Sequence, residues 1–398
     1  MRKNILTSLI LGALTVILAT PAVAAFASAE VNDSAATVRT FAGTGVHGSR
    51  DGRLAQFNLP AGIFGTEDTI YIADTYNNLI RSINFQGITS RLAGDFIAFD
   101  KLGFSAGLMR DGYNNYALFN RPADGVILED RLNALFNRPT DGVVLEDGRI
   151  FVVDSANHAI RVIEGNRTYT FSGGARAGMA NGPAASALFN HPSAIVLDMH
   201  GNMYVADTLN HVIRKISYDG TVSTIAGMPG LAGFRDGATY EARFHAPMGI
   251  AVSNDGTRIY VADTGNHIIR VIEDGQVRTL AGNSLLLYTE IDDDRSNLPT
   301  GSFADGPGEY AWFNLPKGIA LHGDNLIVAD HANHKLRVVQ PCGRTSTLSG
   351  TGFPGYKNGS ADIAEFHFPS GVLVNRNQIF VVDTGNNLIR VIQFTGGE

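Results

Sequence analysis

Six times along this chain an apolar run ends in Asp, and seven residues later a second apolar run carries Arg. The pairs are Asp74/Arg81, Asp154/Arg161, Asp207/Arg214, Asp263/Arg270, Asp330/Arg337 and Asp383/Arg390. Each pair sits in a longer unit. An Asp-Gly or Asn-Gly dipeptide comes first (Asp51-Gly52, Asp111-Gly112, Asn181-Gly182, Asp236-Gly237, Asp305-Gly306, Asn358-Gly359), then Phe-[Asn/His]-x-Pro, as in Phe57-Asn58-Leu59-Pro60. A short apolar run follows, then the Asp run, a tight turn, the Arg run, and a last run ending in Ala-Gly or Ser-Gly. That is four short β-rich runs per unit separated by turn residues. No helical periodicity appears beyond the N-terminal region. Self-similarity at this period predicts an all-β, six-bladed β-propeller. The run Val38 to Gly43 is a spare fourth strand ahead of the first unit, and the last unit stops after its third strand. The N-terminal strand is therefore expected to complete the C-terminal blade and close the ring, which removes exposed sheet edges.

Copy number separates support from chemistry. A catalytic set is needed once, whereas a structural support is needed in every blade. The twelve Asp and Arg residues are accordingly read as staples, with each Arg in reach of the Asp across its hairpin, as Arg270 of Asp263, or of an acid on the next blade. The turn position after the repeat Asn is less uniform: His158, His211, His267 and His334 in four blades, Asn78 and Asn387 in two. Either side chain can hydrogen-bond there. Four histidines on one ring could also converge on a metal, so they are kept as candidate binding residues.

The motif Asp-x-x-Asn-[His/Asn] followed by an apolar Arg strand resembles the NHL repeat family, over about residues 37 to 394. That resemblance implies a propeller fold and, in most members, an interaction platform such as the sensor propellers of bacterial receptor kinases. It also extends to a zinc-dependent amidating lyase. Some intracellular members bind RNA through a basic face. This chain carries a formal net charge of −7, which argues against a nucleic-acid partner.

The N-terminus reads as a secretory signal peptide over residues 1–29, with cleavage after Ala24 or Ala29: Arg2 and Lys3, an uncharged apolar run, then small-x-small sites. The expected location is extracellular or periplasmic, with no membrane span in the mature chain. Residues 37–398 then form one propeller domain. With Cys342 the only cysteine, no internal disulfide can form, and stability rests on burial. The chain is expected to be a monomer.

Two inter-blade loops are long, and long loops on a rigid scaffold are where binding concentrates. One, from Gly94 to Phe119, holds Tyr113 and Tyr116. The other, from Gly282 to Phe313, holds Tyr288, Tyr310 and Trp312, with Glu290 and Asp292 to Asp294 nearby. These aromatics are the candidate contacts for a protein, peptide or glycan. Residues 117–133 and 134–150 are a direct 17-residue duplication; the second copy is expected to supply the first strand of blade 2, with the first looped out. No nucleophile elbow, zincin or phosphate-loop motif is present. The reading is an exported binding propeller without a cofactor. The alternative is a metal-dependent lyase or hydrolase that uses the turn histidines with zinc or calcium.

Overall fold

Strands such as Ile259–Asp263 and Ile268–Glu273 are apolar and buried at almost every position. A strand of that kind needs cover on both faces. A computed structural model describes residues 36–94, 109, 111–113, 136–174, 176–284 and 303–394. In it the cover comes from neighbouring blades. Six antiparallel sheets follow one another along the chain, and their hydrophobic clusters lie between blades. One joins Ile269 and Val271 of blade 4 to Phe313, Ile319 and Val328 of blade 5. Another joins Phe57 and Ile72 of blade 1 to Phe380 and Ile389 of blade 6. The fold is the six-bladed propeller that the repeats predict.

Ring closure follows the expected route. Ala36–Ala42 pairs antiparallel with Leu388–Phe394, Val38 opposite Ile392. Each inner strand neighbours the next, and the last, Pro369–Asn375, neighbours the first, Gly62–Gly65.

The expected four-stranded blade gains a fifth, two-residue edge. Gly112–Tyr113, Gly182–Pro183, Gly237–Ala238 and Gly359–Ser360 pair on the outer strands, and single bridges at Gly52 and Gly306 do the same in blades 1 and 5. The Asp-Gly segments are therefore sheet edges as well as turns.

The inner strand of blade 2 is Pro139–Val144, from the second copy of the duplication. The first copy, residues 117–133, and the leader, residues 1–29, lie outside the described residues. Among the described residues, no helix is long and apolar enough to cross a membrane.

Candidate functional site

The Asp and Arg of each repeat face each other within one hairpin: Asp74 and Arg81, Asp154 and Arg161, Asp207 and Arg214, Asp263 and Arg270, Asp330 and Arg337, Asp383 and Arg390. Both side chains of every pair are fully buried, at 2.7 to 2.9 Å. The Asp accepts on both oxygens. Oδ1 takes the main-chain N–H of the residue after the repeat Phe, at 2.7 to 2.8 Å. Oδ2 takes the repeat Asn amide as well as the Arg. The guanidinium lies over the repeat Phe ring, 5.0 to 5.3 Å from its centre.

Its outer nitrogen reaches a second partner, the Asp or Asn of the dipeptide that opens each unit: Asp51, Asp111, Asn181, Asp236, Asp305 or Asn358. This corrects the expectation that the Arg could instead reach an acid on the next blade. Arg337 shows the arrangement with a second acid. Its Nη1 donates to Asp330 and to the Trp312 carbonyl, and its Nη2 to Asp305 and to the Ala304 carbonyl. Arg390 shows it with an amide. Its Nη1 donates to Asp383 and to the Glu365 carbonyl, and its Nη2 to Asn358 Oδ1 and to the Lys357 carbonyl. Arg390 therefore has one carboxylate partner in its frame where Arg337 has two, and the connecting segment's carbonyls complete both. The staple ties a blade to its own preceding segment because the guanidinium fork is fixed by the Asp on one side and has only that segment within reach on the other.

Burial raises the carboxyls of Asp74 and Asp154 to about 6, against the pull of Arg81 and Arg161. Deleting one partner of such a buried pair costs about 3–5 kcal/mol, because the other charge is left uncompensated.

A repeated polar contact between blades comes from the turn position that alternates His and Asn. A three-residue 3-10 turn follows each Asp and ends on this residue, at φ 52° to 59°. Asn and His are among the few side chains enriched in that left-handed region. The Nδ1 of His158, His211, His267 and His334, or the Oδ1 of Asn78 and Asn387, accepts a main-chain N–H from the following blade at 2.8 to 3.1 Å. The donors are His191, Ala246, Leu315, Phe368, Arg138 and Leu59, and every one of them has positive φ itself.

The Nδ1 atoms are thus committed to the main chain, and only Nε2 of these histidines is left for a ligand. Among the described residues, no three His, Cys, Asp or Glu side chains are grouped to hold a metal. Burial pushes the pKa of all four histidines down.

Four of the six latch donors, Leu59, Arg138, His191 and Phe368, line a central cavity of about 820 Å³, which all six inner strands also line. Those strands are the ends of their sheets, so their unpaired edges face it. Three side chains there depart from the repeat. His331 stands where the other blades have Thr75, Ser155, Thr208, Thr264 and Thr384. Lys317 stands where they have Ala61, Thr140, Ser193, Met248 and Ser370. Asp141 pairs opposite Val153 at the register that Gly62 and Gly249 occupy in blades 1 and 4, and its carboxylate accepts the Ile195 N–H of blade 3 at 3.1 Å. Desolvation raises Asp141 to about 7 and lowers Lys317 to about 8.

None of the described residues proposed from sequence lines this cavity. The turn histidines stand behind their latch donors, and the staples, Arg337 and Arg390 among them, are enclosed within the blades. Tyr113 forms part of the outer edge of blade 2, under Arg167. Tyr310 is exposed at the end of a short 3-10 turn on blade 5, and Trp312 pairs with Ala304 in the same connection. Tyr116 and Tyr288, together with Glu290 and Asp292 to Asp294, lie outside the described residues. His191, His331, Lys317 and Asp141 were not singled out from sequence. For His331, Lys317 and Asp141 the available signal was a titratable side chain at a position where the other five blades carry uncharged ones.

Fold and site together define a closed six-bladed β-propeller whose repeats carry a structural Asp–Asn–Arg frame and whose mouth carries the variation. The chain's repeats and its relatives support assignment to the NHL-repeat proteins. It is 28% identical over 301 residues to the Protein SUPPRESSOR OF QUENCHING 1, chloroplastic, of Arabidopsis thaliana, a match covering 73% of this chain and 26% of that protein. It is 30% identical over 183 residues to NHL repeat-containing protein 2 of Bos taurus, covering 44% of this chain and 24% of the relative. The chain thus spans about a quarter of the length of the curated relatives it matches. No family model matches. Among solved structures, a protein of unknown function from Bacteroides thetaiotaomicron superposes with a TM-score of 0.62 at 16% identity, over 91% of this chain and 76% of that one; this likeness is one of fold.

Proposed function

We propose that this chain is an exported binding propeller that recognises a protein or peptide on the face carrying the 3-10 turns, with the channel mouth at the centre of the contact. One observation carries the reading. The frame residues repeat in every blade, whereas the latch donors vary (Leu59, Arg138, His191, Ala246, Leu315 and Phe368), and four of them, Leu59, Arg138, His191 and Phe368, line the cavity. Glycine is the residue that holds a positive φ without strain. A side chain kept there costs about 1–2 kcal/mol, and strain retained by the surrounding structure is a marker of function. Leu315 and Phe368 are partly exposed, and with Arg138 they supply the mix of apolar and cationic groups typical of recognition surfaces.

The triple variant Arg138→Gly, Leu315→Gly, Phe368→Gly tests this. Glycine keeps the latch N–H and relieves the strain, so stability should hold or rise. A peptide that the parent chain selects from a library should lose at least about tenfold in affinity for the variant, or 1.4 kcal/mol. Tyr218→Ser, an exposed site away from the cavity lining, should leave affinity unchanged. Selection unaffected by the triple variant, or selection of glycans alone from an array, would overturn the reading.

A further inference from the structure

The inner strand Pro316–His322 carries Lys317 into the channel. Its Nζ lies 2.9 Å from His331 Nε2, and His331 Nδ1 lies 2.9 Å from the Pro369 carbonyl. A carbonyl oxygen only accepts, so Nδ1 must carry the hydrogen. In a neutral ring Nε2 is then an acceptor for the lysine. Burial and the neighbouring Lys317 charge hold His331 neutral, with its pKa lowered to about 3.

Lys317 therefore keeps its charge and has no carboxylate partner among the described residues; burial alone perturbs it. His331 fixes its position without neutralising it. A desolvated cation without a counter-ion is costly unless something pairs with it, and here the vacant direction is the channel. Three blades round, on the opposite wall, sits the Asp141 carboxylate. One cation with a carboxylate across the channel favours a ligand of single negative charge over a dianion.

We propose that the channel seats one carboxylate group of a ligand on Lys317, oriented by His331. This rests on the reading that the mouth is a binding face and specifies the chemistry recognised there. The carboxylate can come from a small organic acid or from the C-terminus of a peptide partner.

The test is trace acetylation of the intact chain by acetic anhydride near pH 7, with Lys317 modification read by mass spectrometry against the other lysines. A carboxylate within about 4–6 Å raises an amine's pKa by about one unit or more, which lowers the reactive free-amine fraction about tenfold. Saturating hexanoate should slow Lys317 acetylation by that factor and leave other lysines unchanged, while hexanol and sulfate should not protect. Protection by hexanol equal to that by hexanoate, or none by hexanoate, overturns the proposal.

Lys317→Met, a side chain that blade 4 already carries at Met248, should fold normally and abolish hexanoate binding by calorimetry. A library-selected peptide and its C-terminal amide then separate the two sources. Discrimination between them points to a partner's C-terminus; its absence, with hexanoate still bound, points to a small acid. If the peptide depends on Arg138, Leu315 and Phe368 yet binds the Lys317→Met variant unchanged, the mouth reading stands and the carboxylate inference fails.

Discussion

At the scale of single residues, the alternation of His with Asn has a physical cause. The position must be left-handed and must present an acceptor at a fixed reach, and Asn Oδ1 and His Nδ1 both satisfy this. They differ in titration. Above pH about 6.5 the imidazole is neutral in the folded and unfolded chain alike, and the latch contributes in full. Burial lowers the folded pKa of all four histidines. As pH falls below about 6.5, the unfolded chain takes up protons that the folded chain refuses, and stability is lost until pH reaches the folded values. The variant His158→Asn, His211→Asn, His267→Asn, His334→Asn should therefore fold as the parent does near pH 8. Its denaturation midpoint should decline less between about pH 6.5 and 5. Parallel curves for the two chains would show that these imidazoles do not titrate with folding. The possibility of two interchangeable side chains was legible in sequence. The bond they make was not, because its donor belongs to the next blade, 33 to 60 residues on within the chain and back at Leu59 across the closure.

At the scale of strands, the glycine of the Pro-x-Gly segment is fixed by the approach of neighbouring inner strands. A Cβ on Gly249 would stand 1.8 Å from the Lys317 carbonyl oxygen, and one on Gly62 2.0 Å from that of Thr140. Close backbone approach of this kind is one of the reasons glycine occurs inside strands. Gly249→Ala should cost about 3 kcal/mol, the upper part of the range for overpacking. Gly275→Ala, at φ +72° with nothing near its Cβ, should cost only about 1–2 kcal/mol of left-handed strain. Urea titrations of the two variants compare them directly, and equal losses would contradict the steric account. A second rule at this scale links two places in the sequence. Where the Phe motif carries His245 or His367, the turn carries Gly265 or Gly385, and a Cβ there would lie 2.6 Å from the imidazole. Blades with Asn in the motif instead tolerate Tyr76, Ala156, Leu209 and Ala332.

At the scale of the whole molecule, the number of blades and the closing strand were legible because six copies vote on each position. The channel chemistry was not. Lys317, His331 and Asp141 are each the one titratable side chain at a position left uncharged in the other five blades, and a pattern built from agreement discards such departures. The second partner of each Arg was hidden for a related reason: Asp-Gly or Asn-Gly is sufficient to explain a turn. Nothing local shows that Asp305 also faces the buried Arg337, or Asn358 the buried Arg390. The cavity is lined by inner-strand edges and latch donors rather than by the turn histidines. The closing strand carries its own prediction. Removing residues 36–42 uncovers the edge of Leu388–Phe394, and an unpaired apolar edge recruits other chains. The shortened chain should melt at lower temperature and scatter light on warming. An unchanged transition without association would show that the remaining strands of blade 6 suffice.

The latch from Asn387 to Leu59 uses the same acceptor position and the same donor position as the other five. All six run in one direction round the circle, from each blade to its successor. In hydrogen-bonding terms the ring has no first blade, and the point at which the chain opens is a matter of connectivity alone. New ends cut between two other blades, with the present ones joined, would leave every latch in place, so a circular permutant should retain the mouth and its order of side chains.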